Sequence, residues 1–319
     1  MKLYFIVNPA AKNGRCKKVW KRLEKVLHEK HISYESFFTT RQRDGKRIAR
    51  QIIESTSETI AIIAVGGDGT VHEVANGVFP FRHGVVGYIP AGTGNDFSRG
   101  VRIPNHPRKA LEHILLLLKN HCFSTYDIGK FTGPHIQEGL FVNNLGCGFD
   151  AHISRKVNSS KLKSLFNRLS LGKFVYVFYL MKELIFYQPT KVVLQIDGEK
   201  HLFEQAWLVT ISNHPYYGGG MKIAPSAKTN DGLFRIIVVD QISRLKILLL
   251  FVTVFWGGHT KMKEVKVFTG KHIHIHTSFP LPLHADGENI GSGSVSVCVQ
   301  ANALSVIRAK TNWPNILKK

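Results

Sequence analysis

Over its first 120 residues the chain alternates short apolar runs with charged segments of helical spacing, and this rhythm restricts the available folds more than any other feature. Apolar runs at 3–7, 34–38, 60–65 and 85–89 are separated by helix-spaced residues such as Val19, Leu23, Val26 and Leu27, and by the segment 48–53. The runs at 60–65 and 85–89 are nearly continuous and β-branched, as expected of parallel strands covered on both faces by helices. Open α/β sheets bind ligands beyond the carboxyl ends of their strands, so the loops after these runs are where a site is expected first. After about residue 125 the texture becomes mainly β. Strand-like runs at 191–196, 207–212, 233–239, 265–268 and 295–299 are split by turn dipeptides such as Asp197-Gly198, with helical stretches at 173–186 and 243–256. An α/β N-terminal half and a mainly β C-terminal half, with a cleft between them, is the expected organisation.

With 319 residues and 44% hydrophobic side chains the chain has enough apolar material for two domains, which excludes intrinsic disorder, collagen-like fibre and a disulfide-stapled miniprotein. The balance of 43 Lys+Arg against 22 Asp+Glu gives +21, concentrated at residues 1–50 and again at 151–175. Such a field favours nucleic acid, nucleotide phosphates or an anionic membrane, and charge alone does not choose among them. Cys16, Cys122, Cys147 and Cys298 form no Cys-x-x-Cys pair, and the run at 3–7 is shorter than a signal-peptide core. Reduced thiols in a cytoplasmic protein are expected. The most apolar segment, 245–256, falls short of the roughly 20 residues that span a bilayer and contains Lys246, so a buried or interfacial helix fits it better. Membrane contact is therefore expected to be peripheral.

Three loops carry the chemistry. Gly66-Gly67-Asp68-Gly69-Thr70 follows a buried strand and opens a helix. Glycines admit phosphate oxygens close to the backbone, and a helix N-terminus presents free N–H groups and the positive end of its dipole. Asp68 would repel phosphate unless a cation intervenes, so it is expected to organise Mg²⁺ or its waters. Pro90-Ala91-Gly92-Thr93-Gly94-Asn95-Asp96 also follows a strand; Thr93 suits a phosphate, and Asn95 and Asp96 suit either a ribose hydroxyl or a loop-holding role. Asn8-Pro9-Ala10-Ala11-Lys12-Asn13-Gly14-Arg15 follows the first strand and offers Lys12 and Arg15 to an anion. Neither a Walker A sequence nor Gly-x-Gly-x-x-Gly stands at these turns, which demotes the P-loop and Rossmann dinucleotide readings.

These motifs resemble the diacylglycerol kinase catalytic domain superfamily, specifically its bacterial soluble lipid kinases. The likeness runs from Asn8-Pro9 through Gly66–Thr70, Glu73, Asn76-Gly77 and Gly92–Phe97. It continues through Asn144, Gly146-x-Gly148-Phe149-Asp150, Asn213, Gly218-Gly219-Gly220-Met221, Asp231-Gly232 and Asp286-Gly287-Glu288. The resemblance implies a nucleotide domain at 1–125, a β-sandwich-like lipid-substrate domain at 126–302 and a tail at 303–319 returning to the first. It implies ATP bound by Asn8, Pro9, Ala10, Ala11 and Lys12, by Thr39 in preference to Thr40, by Gly66, Gly67, Asp68, Gly69, Thr70, Val71 and His72, and by Thr93. A structural Mg²⁺ would map to Asp231 and the carbonyls of Lys228 and Leu233. A lipid alcohol is a poor nucleophile near neutral pH, so a carboxylate must take its proton as the bond to phosphorus forms. The resemblance gives that role to Glu288, beside Asp286, with the exchange of their roles left open.

The expected activity is thus an ATP- and Mg²⁺-dependent transfer of the γ-phosphoryl group to a lipid hydroxyl, diacylglycerol or another, at an anionic membrane surface. No nucleic-acid partner is expected, and a homodimer is left open. A soluble-substrate kinase of the NAD kinase type and a non-enzymatic binder of anionic lipid or nucleotide are the alternatives. His272, His274 and His276 are expected to line a solvent-facing strand rather than hold a metal, and Tyr179, Met181 and Phe186 to be packing residues rather than the lining of a lipid pocket. The basic run 155–173, ahead of that apolar helix, is read either as a solvated face or as an interfacial segment.

Overall fold

Strands β1 (Lys2–Val7), β2 (Glu35–Phe38), β3 (Ile60–Gly66) and β4 (Gly84–Pro90) pair in parallel in the order β2-β1-β3-β4. The computed structural model describes residues 1–159 and 172–309. Every residue of β3 and β4 is buried, because helices α1 (Arg15–Glu29), α2 (Asp44–Glu54), α3 (Asp68–Val78), α4 (Asp96–Gly100) and α5 (Pro107–Lys119) alternate with the strands. Helical crossovers cover a parallel sheet on both faces, which is why its strands read as unbroken apolar runs. The chain divides into two compact units, one formed by Met1–Tyr126 with the chain from Asn302 onward, the other by Asp127–Ala301. In the first unit Ser305 and Val306 extend the sheet in parallel beside Val85 and Val86. The Arg82 guanidinium donates to the Asn302 carbonyl, and Arg308 donates to the Ser124 hydroxyl. The part of the tail beyond residue 309 lies outside the described residues.

The second unit is built from antiparallel pairs. Following β5 (Phe123–Gly133), the strands are β6 (Ile136–Phe141), β7 (Asn144–Gly148), β8 (Thr190–Ile196), β9 (Glu199–Ser212), β10 (Phe234–Asp240), β11 (Val265–Gly270), β12 (His272–Thr277), β13 (Pro282–Ala285), β14 (Glu288–Ser292) and β15 (Val295–Ile307). The long strand β9 pairs with β8 over its first half and lies between β7 and β10 over its second. Two apolar cores result. Ile236 and Val238 of β10 join Ile211, Ile273, Leu283 and Val297 in one cluster. Ile237 and Val239 join Trp207 and three helices in the other: α6 (Phe149–Ser159), α7 (Gly172–Phe186) and α8 (Arg244–Thr253). A strand buried on both faces needs no polar alternation, which accounts for the continuous run in β10.

Several expectations meet this architecture directly. The β8–β9 hairpin turns at Asp197-Gly198, both with positive φ, as a two-residue turn requires. In β12 the histidines face solvent and Ile273 and Ile275 face the core. All four cysteines are free. One expectation fails in part: Tyr179 packs against the core, whereas Met181 and Phe186 are 45% and 68% exposed on α7, whose Leu180 and Leu184 supply its inner face. A helix apolar on all sides gives no periodicity from which to choose the buried side. Of the basic run 155–173, residues 160–171 lie outside the described residues.

Candidate active site

In the first unit the three predicted loops lie at the carboxyl ends of adjacent strands. After β1, the Asn8 side chain donates to Thr70 Oγ1 at 3.2 Å and accepts from the Ala10 N–H at 3.1 Å, tying the first loop to the second. Lys12, Asn13 and Gly14 all take positive φ, so the loop turns sharply and leaves Lys12 exposed. After β3, Gly67 caps α3, its carbonyl accepting the N–H groups of Thr70 and Val71 at 2.9 and 3.3 Å, so the positive end of the helix dipole lies at the glycine loop. A Cβ at Gly92 would lie under 3.0 Å from Gly67 Cα, so the second and third loops meet backbone to backbone where only glycine fits. The Asp68 carboxylate accepts the Phe97 N–H at 3.0 Å, joining the starts of α3 and α4. Asn95 Oδ1 accepts from the Gly92 N–H at 3.0 Å and lies 2.9 Å from the Tyr88 hydroxyl, while buried Asp96 pairs with Arg99 at 2.8 Å. Asn95 and Asp96 therefore hold their loop. Burial, followed by the Asp68 and Asp96 carboxylates, pushes the Tyr88 phenol well above its usual range.

At the end of β2, Thr39 is buried and its N–H bonds the Val7 carbonyl at 2.9 Å. Thr40 donates its hydroxyl to Asp44 at 2.7 Å, so of the two threonines it is the one committed to starting α2. Glu73 accepts the N–H groups of Arg43 and Gly45, each at 2.8 Å, fastening α3 to the start of α2. Val71 is buried, and His72, half-buried one position on, accepts the Asn76 amide through its carbonyl. Thr93 is exposed at the loop tip.

The Asp286-Gly287-Glu288 element is a tight hairpin between β13 and β14, with φ of 50° at Asp286 and 84° at Gly287. This turn separates the two carboxylates. Asp286 accepts three backbone N–H groups, from Val142 at 2.8 Å, Asn143 at 2.8 Å and Asn144 at 3.0 Å. Glu288 opens β14 opposite Ala285 and is exposed. Sequence reasoning missed the group that sets this turn. Buried His284 accepts the Gly287 N–H through Nδ1 at 3.3 Å, which places its proton on Nε2, 3.3 Å from Asp150 Oδ2. A side chain at Gly146 would strike both Asp150 and His284, which explains that glycine.

A second buried polar cluster supports the strand that receives Asp286. Asn213 donates to the carbonyls of Asp127 and Val142, and His214 Nε2 lies 2.6 Å from Asn143 Oδ1 while Nδ1 accepts the Tyr216 N–H at 3.0 Å. Burial holds the His214 pKa down at about 4, from an ordinary 6.5. The folded value lies below the unfolded one, so between these values the unfolded chain binds more protons and folding weakens as pH falls. This residue is expected to remove about 3 kcal/mol of stability between pH 6.5 and 4. Denaturant titrations across that range should show a shallower pH dependence for His214→Gln than for the wild-type chain, and equal slopes would contradict the assignment.

The turn at 228–233 is pinned from both sides by buried Asp127, whose N–H bonds the Thr229 carbonyl at 2.7 Å and whose carboxylate accepts the Gly232 N–H at 2.8 Å. Asp231 is engaged by the chain itself: Oδ2 pairs with Arg235 at 2.7 Å and Oδ1 accepts the Leu233 N–H at 3.1 Å. Lys228 is exposed and Leu233 half-buried beside it. A lone carboxylate already neutralised by a guanidinium is a poor donor set for Mg²⁺, which favors unshared oxygen ligands. As folded, these residues do not fit the structural metal, and no step of the chemistry runs through them. Chelation with EDTA is accordingly expected to leave the thermal midpoint of the nucleotide-free chain in place. Arg235→Gln should lower its stability by about 2 kcal/mol by removing a hydrogen bond between charged groups. A midpoint that falls on chelation would show that a metal holds this turn after all.

Comparison with known proteins follows this geometry along both units. Residues 2–130 match the diacylglycerol kinase catalytic domain, and residues 143–308 match the YegS C-terminal NAD kinase beta sandwich-like domain. The chain is 33% identical over 275 residues to the "Putative lipid kinase YtlR" of Bacillus subtilis, covering 85% of this chain and 87% of that one. It is 31% identical over 261 residues to a diacylglycerol kinase of the same organism, covering 77% and 80% of the two chains. The crystal structure of a "putative diacylglycerol kinase" from Bacillus anthracis superposes with a TM-score of 0.76 at 25% identity, over 96% of this chain and 95% of that one. An α/β unit with glycine loops at its strand ends, followed by a β sandwich-like unit, is the architecture of a lipid kinase, a phosphotransferase with an alcohol acceptor. The chain belongs to the diacylglycerol kinase catalytic-domain family.

Proposed function

We propose that the protein transfers the γ-phosphoryl group of ATP, carried with Mg²⁺, to the hydroxyl of a lipid at a membrane surface, diacylglycerol being one candidate acceptor. The observation that carries this reading is the backbone approach of Gly67 to Gly92 beside the α3 N-terminus, a cradle in which no Cβ intrudes on an anion. Asn8 to Lys12, Gly66 to His72 and Thr93 would receive the phosphates, with Lys12 supplying charge, and Thr39 would meet the nucleotide at the end of β2. Asp68 would hold the metal that travels with the nucleotide. Mg²⁺, when bound with the nucleotide, would supply positive charge to offset the negative charge that develops during transfer. Little covalent work then remains for the protein, whose contribution is positioning and charge stabilisation.

Glu288 is the base in this reading. Both Asp286 oxygens serve backbone donors, so a proton arriving there would break bonds that hold the turn, whereas Glu288 stands exposed on the turn that Asp286 and His284 fix. The Glu288 carboxylate accepts the hydroxyl proton as the acceptor oxygen bonds to phosphorus and the bond to the β-phosphate oxygen breaks. The test is acceptor dependence: phosphorylation should require lipid vesicles and should not occur with NAD as the sole acceptor. Turnover of NAD without lipid would move the protein to the soluble-substrate class.

A further inference from the structure

We infer that the outer faces of α7 and α8 form the surface by which this protein docks on an anionic lipid bilayer, an inference that rests on the lipid-kinase reading and names its membrane contact. Among the described residues, nine of the fourteen exposed large apolar side chains lie on these two helices and the turn after α8. On α8 and that turn, Leu245 (80% exposed), Leu249, Val252 and Trp256 (62%) follow helical spacing of four, three and four residues. On α7, Phe178, Met181 and Ile185 (64%) repeat the pattern, with Phe186 beside them. The inner faces are satisfied, since Leu180, Leu184, Ile247 and Leu250 share one core. The helices are also fastened together, because Arg244 at the start of α8 donates to the carbonyls of Leu184 and Tyr187 at 3.0 and 3.1 Å. The two apolar stripes therefore meet at a fixed joint within the second unit. Apolar exposure concentrated in this way marks an interaction site rather than ordinary surface.

Charge selects the occupant. Residues 241–263 contain Arg244, Lys246, Lys261 and Lys263, and the first acid beyond them, Glu264, pairs with Lys246 at 2.6 Å, which leaves Lys261 and Lys263 to edge this face with Arg244. The acid on the described part of α7, Glu183, is buried and bound to His152 at 2.8 Å, while its neighbour Lys182 is exposed. An apolar stripe edged by cations is what the interface of an anionic bilayer accepts, with apolar side chains at the acyl boundary and ammonium groups among the headgroups. A protein partner would have to be as acidic and as apolar at once. No helix among the described residues is long and apolar enough to cross a membrane, so these faces lie on the bilayer and do not span it.

The test compares the wild-type chain with a Leu249→Ser/Trp256→Ser variant, both confirmed folded by circular dichroism. It uses sedimentation with vesicles of phosphatidylcholine alone or with three parts in ten of phosphatidylglycerol. The wild-type chain should bind the anionic vesicles, and the variant should bind them at least about tenfold more weakly, as expected from removing two large apolar groups from a lipid contact. Quenching of Trp256 fluorescence by brominated lipid, measured in a Trp313→Phe background, should place the indole at the acyl boundary. Equal binding by both chains, or an unquenched Trp256, overturns the inference. So does a dimer in solution that the two substitutions convert to monomer while vesicle binding stays the same, since the face then belongs to a second copy. Phosphorylation of vesicle lipid by the wild-type chain is scored separately. Its absence alongside intact vesicle docking would count against the kinase reading and not against the surface.

Discussion

Glu288→Gln is expected to lower kcat about 10²–10⁴-fold, the range a positioned general base contributes, while nucleotide affinity stays within about twofold. The asymmetry follows from where the residue sits. Glu288 lies on the second unit, at the first position of β14, and the glycine cradle proposed for the phosphates belongs to the first. Glutamine preserves size and hydrogen bonding but accepts no proton. Asp286→Asn serves as the contrast. Its carboxylate receives three backbone N–H groups, so its replacement is expected to act on stability, costing about 1–3 kcal/mol through donors left poorly satisfied. If Glu288→Gln kept near-normal kcat while Asp286→Asn remained folded and lost turnover, the two roles would be exchanged.

Asp68→Ala is expected to abolish measurable turnover. Two effects combine at this carboxylate. Its oxygen receives the Phe97 N–H at 3.0 Å, and Phe97 lies in α4 directly after the third loop, so its loss frees that loop from the second. A broken hydrogen bond to a charged group costs about 1.5–3 kcal/mol, which corresponds to roughly 10–100-fold in nucleotide affinity. Loss of the negative charge removes in addition the carboxylate proposed to hold the nucleotide's metal. Asp68→Asn separates the two, because its amide oxygen still accepts the Phe97 N–H but carries no charge. Nucleotide affinity near that of the wild type together with lost turnover is the expected result for Asp68→Asn. Full turnover would reduce Asp68 to a structural cap.

The glycine loops were legible in the sequence because they answer to local rules: a strand, a glycine where backbone approaches backbone, then a helix start. Gly66, Gly67 and Gly92 are readable in that way. The division of labour between Asp286 and Glu288 was not, because the spacing of two residues admits both a strand and a turn, and the turn found here sends the side chains to different places. Still less legible were His284 and Asp150, which lie 134 positions apart yet meet around Gly146. His214 and Asn143 meet across 71 positions for the same reason. Only the sheet brings such residues together. At Asp231 the family resemblance implied a metal, and the carboxylate is paired instead within the chain with Arg235, a cation four residues later that the motif does not include. On α7 the pattern misled in the opposite sense, because uniformly apolar residues conceal which side is left without a partner.

The most direct measurement is transfer of labelled γ-phosphate from ATP·Mg²⁺ into a total-lipid extract presented as vesicles, with Asp68→Ala as the control and the labelled product identified by mass. The account predicts a phosphorylated lipid made by the wild-type chain and absent from the control. Label that enters no lipid, while ATP still binds, would contradict it.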